Sequence, residues 1–243
     1  MNNIKEEFER EALVIGDDAV RKLNNSAVML FGVGGVGSYA AEALARAGVG
    51  RITLVDFDTV SRSNINRQLC ALQSTLGRYK VDVIAERIKD INPDTLVETR
   101  KELVLPDNIG SFDFNEFDFV IDAVDTVSAK LAIIEASLAA GTPSISCMGT
   151  GNKLDPAAFC VTDISKTNTC PLARVMRREL KKRGISHAKV IYSTEEAISP
   201  TRELKTDSGK AVVGSLSFVP SVAGLIAASE AIKSILKGEK QNG

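Results

Sequence analysis

Ala27-Val28-Met29-Leu30-Phe31-Gly32-Val33-Gly34-Gly35-Val36-Gly37 decides the fold of this chain. The five apolar residues read as a strand covered on both faces. The glycine run reads as a tight turn, and residues 36–47 as a helix. A strand, a tight turn and a helix start bring backbone N–H groups and a positive helix end to one point, where a phosphate can sit. A second apolar strand, Arg51–Val55, leads into Asp56, nineteen positions after Gly37. That spacing suits a carboxylate that binds a ribose hydroxyl. Gly32, Gly34, Gly35, Gly37 and Asp56 are therefore candidate nucleotide ligands. Alone, the fingerprint identifies a nucleotide site and no chemistry.

Outward from this unit, residues 8–23 read as one helix with Leu13, Val14, Val20 and Leu23 as its apolar positions. A polar loop follows Asp56, then a helix over 80–90 that Asn92-Pro93 stops. Strands are expected at 96–99, 117–121 and 144–147, with an irregular segment at 106–115 and a helix at 127–140 ending at Gly141. Strands alternating with helices predict an α/β fold with a doubly wound, mostly parallel, Rossmann-like sheet. After Met148 the pattern changes to a C-terminal α/β elaboration: a strand at 159–162, a helix at 171–183, a strand at 189–192 and a last helix at 220–236. Ala223, Gly224, Ala227 and Ala228 are small enough for that helix to pack closely. Residues 199–210 are polar and aperiodic, and a mobile loop is expected there. The expected organisation is a single domain over 1–243, with a nucleotide-binding core at 1–148 and a substrate-binding and dimer elaboration at 149–243.

The 243 residues, 44% apolar and 25% charged, are ordinary for a globular protein with a sizeable core. A net charge of −1 neither supports nor excludes nucleic acid. Residues 1–7 carry no apolar core of a signal peptide, so a cytoplasmic protein is expected. Cys70, Cys147, Cys160 and Cys170 include no C-x-x-C pair, so neither structural zinc nor a disulfide framework is expected. The lone histidine, His187, leaves little for a histidine metal site or a Ser-His-Asp triad and reads as an exposed loop residue. Residues 211–229 are uncharged over nineteen positions, near the length that spans a bilayer. Gly214, Pro220, Gly224 and several serines interrupt the run. It reads as a buried strand followed by a packed helix, with no stable membrane insertion and at most peripheral association expected.

The loop after Asp56 carries Asp58, Asn64, Arg67 and Gln68; Lys80 follows, and Asp122 and Asp125 end a later strand. A redox dinucleotide needs one phosphate-facing turn, one acidic ribose ligand and an apolar slot. Here two cations and an amide, Arg67, Lys80 and Asn64, gather near one nucleotide, with Asp125 able to hold a divalent ion. That set suits a triphosphate attacked at its α-phosphorus, because charge building on the leaving pyrophosphate must be neutralised. Asp58 and Asp122 also read as loop and helix caps.

As a set, G-x-G-G-x-G, D-x-D, N-x-x-R-Q, the downstream lysine and D-x-x-D closely resemble the ThiF/MoeB and ubiquitin-activating-type adenylyltransferases, over about residues 8–148. The resemblance implies that Gly32, Gly34, Gly35 and Gly37 form the phosphate turn and that Asp56 binds the ribose. It also implies that Asn64, Arg67 and Lys80 contact ATP phosphates, that Gln68 supports the loop and that Asp125 binds Mg²⁺. Arg10, in Phe8-Glu9-Arg10-Glu11, falls where these enzymes supply an arginine to the partner protomer, which implies a homodimer with composite sites.

Val161-Thr162-Asp163-Ile164-Ser165-Lys166-Thr167, Pro171-Leu172-Ala173-Arg174, Tyr192-Ser193-Thr194-Glu195 and Asn64-Ile65-Asn66-Arg67-Gln68 resemble the tRNA threonylcarbamoyladenosine dehydratase branch, over essentially the whole chain. The implied activity is adenylation of the threonyl carboxylate of threonylcarbamoyladenosine in tRNA and its cyclisation, with release of AMP and pyrophosphate. The implied partner is tRNA, with no DNA. Independently, Arg174, Arg177, Arg178, Lys181 and Lys182 follow helical spacing against one acid, Glu179, and form a candidate RNA-binding stripe. The chain departs from these relatives at 195–209, where it has no cysteine, so a sulfur relay through that loop does not fit. Two other readings stay open. An adenylyltransferase for a sulfur-carrier or ubiquitin-like protein has only Cys170 as a candidate nucleophile, with nothing nearby in sequence to lower its pKa. An NAD- or FAD-dependent oxidoreductase leaves Arg67 and Lys80 without a purpose.

Overall fold

Strand β1, Ala27–Phe31, is buried along its whole length, as expected of a parallel strand covered on both faces. The computed structural model describes residues 4–205, 209 and 211–238. Two helices, α1 (Glu6–Ile15) and α2 (Asp17–Asn24), precede β1; α3 (Gly37–Arg46), β2 (Arg51–Val55), α4 (Lys80–Ile91) and β3 (Leu96–Arg100) follow it. Next come β4 (Phe119–Asp122), α5 (Val127–Ala140), β5 (Ser144–Cys147), β6 (Phe159–Asp163), α6 (Pro171–Lys182), β7 (Lys189–Ser193) and α7 (Phe218–Lys237).

The seven strands form one sheet in the order β3-β2-β1-β4-β5-β7-β6, with every pair parallel except β6 and β7. From β1 the chain builds outward to β2 and β3, then returns to place β4 on the other side. That reversal opens a crevice beyond the C-terminal ends of β1 and β4, where open α/β sheets bind ligands. Side chains alternate across β1. Val28 and Leu30 pack in a cluster that includes α3, α4 and α7, while Met29 and Phe31 pack on the opposite face with α5, Phe112 and Phe114. The Phe31 ring meets Phe112 edge-on at 5.2 Å and stacks on Phe114 at 5.8 Å.

Helix α7 is long and apolar enough to cross a membrane, but Val219, Ala223, Ala227 and Ala231 are buried in the core. Its close fit to α3 depends on Gly224, where a Cβ would lie 2.2 Å from Val36 O. Gly224→Ala is expected to cost about 1–3 kcal/mol through overpacking, read calorimetrically as a Tm lower by roughly 2–12 °C. Leu225→Ala, on the exposed side of the same helix, should leave Tm nearly unchanged.

Several sequence expectations change. The helix expected over 8–23 is two, because Gly16 takes φ +87° between them, outside the helical region. Leu13 and Val14, expected among its apolar positions, are 88% and 83% exposed. Strand β4 starts at Phe119 because a 3-10 turn over Phe114–Glu116 holds Phe117, whose ring lies under the Arg51 guanidinium at 4.6 Å. No strand forms at 211–217: β6 already occupies the edge beside β7, and Val212 and Val213 stay exposed. The mobile loop expected over 199–210 falls partly on 206–208 and 210, which lie outside the described residues. His187 is exposed, its Nδ1 3.3 Å from Asp163 Oδ2.

Candidate active site

The turn after β1 is closed at its base by sterics. Gly32 takes φ +85°, and a Cβ there would sit 2.7 Å from Ala123 O in the loop after β4. A Cβ on Gly37 would fall 1.8 Å from Gly32 O. Only glycine fits either place. At the top of the turn, a Cβ on Gly34 would lie 3.6 Å from the Gln68 amide, and one on Gly35 would lie 3.2 Å from Pro220. The N–H groups of Gly34 to Gly37 find no acceptor among the described residues. They are the orphan donors of the α3 start.

Asp56 ties this turn to the loop after β2. Its Oδ2 accepts from Val33 N at 2.6 Å and its Oδ1 from Asp58 N at 2.8 Å, which leaves roughly half of its lone pairs free. Burial raises its pKa from the ordinary aspartate value, against the pull of Lys80 and the two N–H donors. Lys80 opens α4 and is 4% exposed, and its Nζ donates to Asp58 Oδ2 at 2.6 Å. Asp58, expected as a ligand or a cap, is therefore the partner of Lys80. Asn64 and Gln68 are buried, with Asn64 Oδ1 accepting from Ser61 N at 3.0 Å. Arg67 is half-buried; its Nη1 donates to Ser63 O at 2.8 Å and to Asn66 Oδ1 at 2.9 Å. Asp125 is exposed across the crevice, with Thr126 Oγ1 donating to it at 3.3 Å.

A single cavity of about 360 Å³ is lined by Gly32, Gly34, Gly35, Asp56, Asp58, Asn64, Arg67, Gln68, Lys80 and Asp125, within the size range of small-ligand sites. Gly37 stands behind the turn, and Arg10, exposed on α1, is outside this lining. Sequence reasoning missed the rest of the wall. Val55, Phe57, Leu103, Val104, Val124 and Ala129 make an apolar slot suited to a flat base, and Thr150, Ser215 and Pro220 come from the C-terminal part. Their one signal is position: most lie just beyond strand ends. The arrangement can hold a base in the slot, a ribose at Asp56, and phosphates between the glycine turn and the two cations.

Beneath the loop after β4, Asp122 and Lys130 are 1% and 0% exposed and paired at 3.0 Å. Lys130 Nζ also donates to Cys147 O at 2.6 Å, and Asp122 Oδ1 accepts from Val124 N at 3.1 Å. Asp122 thus fixes the loop that carries Asp125. Cys170 is 1% exposed, so no substrate reaches its sulfur and it is set aside as a nucleophile. Burial pushes the Cys70 thiol up to about 11 and the Cys147 thiol up to about 12, so both stay protonated and inert at neutral pH.

The basic stripe on α6 needs one correction. Arg177 is half-buried, and its Nη1 donates to Thr167 O at 2.7 Å and to Thr167 Oγ1 at 2.6 Å. It holds the helix to the preceding loop. Arg178 and Lys182 are exposed and share Glu179 at 3.0 Å each. Arg174 and Lys181 are exposed and make no ion pair among the described residues.

A family model described as ThiF matches residues 8–242. The chain belongs to the ThiF family. This ThiF protein is 44% identical over 241 residues to the tRNA threonylcarbamoyladenosine dehydratase of Bacillus subtilis (strain 168), covering 95% of each chain. To the protein of the same name from Escherichia coli (strain K12) it is 33% identical over 259 residues, covering 98% of this chain and 97% of that one. The crystal structure of E. coli tRNA N6-threonylcarbamoyladenosine dehydratase, TcdA, in complex with ATP matches it with a TM-score of 0.88 at 34% identity, over 98% of each chain. The likeness therefore extends well past the motif-bearing residues 8–148.

Proposed function

We propose that this ThiF protein is an ATP-dependent, AMP-forming dehydratase acting on threonylcarbamoyladenosine in tRNA. One observation carries the reading: an apolar slot, the orphan N–H groups of the glycine turn, Arg67, Lys80 and Asp125 face one cavity. A redox dinucleotide would leave the cations unused. The full-length likeness to dehydratases that act on this nucleoside, judged by their names, supports the substrate.

Adenine occupies the slot, Asp56 takes the ribose hydroxyls, and the triphosphate crosses the glycine turn. The threonyl carboxylate attacks the α-phosphorus, the bond to the bridging oxygen breaks, and pyrophosphate leaves. Arg67 and Lys80 meet the charge that builds on it, with Lys80 exchanging Asp58 for phosphate oxygen. A nitrogen or oxygen of the carbamoyl group then attacks the acyl carbon. AMP leaves with the former carboxylate oxygen, a proton is released, and the ring closes with net loss of one water. The chain mainly positions the reactants.

The residues present fit Mg²⁺. Of the cavity's carboxylates, Asp58 is paired with Lys80 and Glu102 with Arg100, and Asp56 is held by two N–H groups. Asp125 makes no ion pair among the described residues. Among the described residues no cluster of three metal-binding side chains is gathered there either, so the ion would rest on Asp125, phosphate oxygens and water, a common arrangement for Mg²⁺. Bound there, it supplies Lewis-acid neutralisation of phosphate charge.

Residues 1–148 hold the nucleotide, and 149–243 serve the acyl substrate and the dimer. Arg10 completes the site of a second protomer, with exposed Leu13 and Val14 beside it giving the contact apolar surface. The protein works in the cytoplasm without membrane insertion. On α6, Arg174, Arg178, Lys181 and Lys182 hold tRNA phosphates. Replacing both Arg174 and Lys181 by Ala should weaken tRNA binding and lower the slope of log K against log salt by about 2, with ATP affinity unchanged.

Ionised Asp56 is the stronger acceptor for the ribose hydroxyls, and protonation turns one of its oxygens into a donor, so nucleoside affinity is full above its pKa and falls as pH drops through it. Because that pKa is raised, adenosine affinity should begin to fall at a higher pH than an ordinary carboxylate would dictate. Asp56→Asn should bind adenosine weakly, with that acid limb removed; a wild-type affinity flat across the same range would contradict the assignment. The reading as a whole is tested by ATP–pyrophosphate exchange. Stimulation by threonylcarbamoylated tRNA supports it, and stimulation only by a Gly-Gly-ended peptide supports a carrier-protein adenylyltransferase.

A further inference from the structure

Thr150 and Ser215 line the cavity from the C-terminal part of the chain and are not among the residues assigned above to base, ribose or phosphates. Ser215 lies in 211–217, the segment that runs into α7, and two amide side chains tether this segment at Gly214 and Ser215. At the first, Asn152 N donates to Gly214 O at 2.8 Å and Gly214 N donates to Asn152 Oδ1 at 2.7 Å. Asn152 takes φ +55° to do so, a conformation that residues other than glycine keep only where their surroundings fix it. The packing is close, since a Cβ on Gly151 would lie 2.1 Å from Val213 Cγ1.

At the second the tether is Asn66. Its Nδ2 donates to Ser215 O at 2.9 Å, while its Oδ1 accepts from Arg67 Nη1 at 2.9 Å. A guanidinium only donates and a carbonyl only accepts, so one orientation of the amide satisfies both. A single exposed side chain thus bridges a phosphate-facing cation and the chain segment that lines the substrate side.

We propose that Asn66 is a positioning residue that couples phosphate reading by Arg67 to the placement of Ser215 and the segment around it. Arg67, held on the triphosphate, fixes the Asn66 amide, and that amide fixes the wall against which the acyl substrate lies. The substrate half of this statement rests on the dehydratase reading above; the coupling itself rests only on Arg67 meeting nucleotide phosphate.

Only an amide of this reach joins a donor to an acceptor here. Asn66→Ala cuts both links, whereas Asn66→Asp keeps an acceptor for Arg67 and turns a like charge on Ser215 O. Asn152→Gly keeps the left-handed backbone and removes the side-chain bond to Gly214, loosening the same segment at its other tether.

The test follows amide hydrogen exchange of 211–217 in the full chain, with and without a non-hydrolysable ATP analogue. The analogue is expected to slow exchange there in the wild type. That slowing should be lost in Asn66→Ala and Asn66→Asp, although the alanine variant still binds the analogue. In steady state, Asn66→Ala should raise KM for the modified tRNA by about tenfold, the scale of one lost hydrogen bond, with little change in KM for ATP. Asn152→Gly added to Asn66→Ala should cost less than the product of the two separate effects. Exchange at 211–217 indifferent to nucleotide in the wild type, or protection that persists in Asn66→Ala, would overturn the proposal. So would equal rises in both KM values, which would make Asn66 a simple support for Arg67. The exchange arm uses no tRNA, so nucleotide-dependent protection without tRNA turnover would sink the substrate reading and leave the coupling standing.

Discussion

Lys80→Ala is expected to slow AMP formation by about 10²–10³-fold, the usual effect of removing one preorganised donor from a developing charge, while the protein stays folded. Lys80 is nearly buried at the cavity floor, and its Nζ lies 2.6 Å from Asp58 Oδ2. The side chain of Asp58 is 46% exposed, so losing its partner leaves a carboxylate that water can solvate, and the fold should lose little. Lys80→Arg should restore only part of the rate, because a planar fork does not occupy the space of a compact ammonium. Rapid-quench measurement of AMP at saturating ATP, alongside Tm, separates rate from stability. A rate within tenfold of wild type would remove Lys80 from the chemistry.

Lys130→Met is expected to be the costliest single change to the fold, about 3–5 kcal/mol, because it leaves the carboxylate of Asp122 buried without its counter-charge. Both side chains are essentially inaccessible, and Lys130 also serves Cys147 O. Thermal unfolding should therefore show a Tm lower by roughly 6–20 °C. Asp122→Asn added to Lys130→Met should recover much of that loss, since a neutral amide can still accept from Val124 N without a buried charge. A single variant that unfolds within a degree or two of wild type would mean that water reaches the pair.

The parts of the site that the sequence exposes are those where backbone geometry permits one residue type. Gly32 and Gly37 stand where any Cβ would strike a carbonyl, so the glycine run is legible as a turn from residue type and spacing alone. Asp56 is legible because β2 must end beside β1, and a carboxylate there reaches the turn. The slot formed by Phe57, Leu103 and Val104 is not legible, because an apolar residue lining a cavity has the same local pattern as one in the core. Helical spacing recorded the face of Arg177 but not Thr167, which holds its guanidinium. A glycine within a helical pattern does not by itself signal a break, and only the φ of +87° at Gly16 shows that α1 ends there. The apolar run at 211–217 had strand composition but no free sheet edge beside β7 to join. Asn66 is visible in sequence only as a variant in the N-x-N-R-Q loop; its two hydrogen bonds need the fold.

Incubating the full chain with MgATP and tRNA bearing threonylcarbamoyladenosine, then weighing the digested nucleosides and counting AMP, probes the chemistry most directly. The expected result is a nucleoside lighter by one water for each AMP released. An unaltered nucleoside, with ATP intact despite a folded protein that binds it, would contradict the assignment.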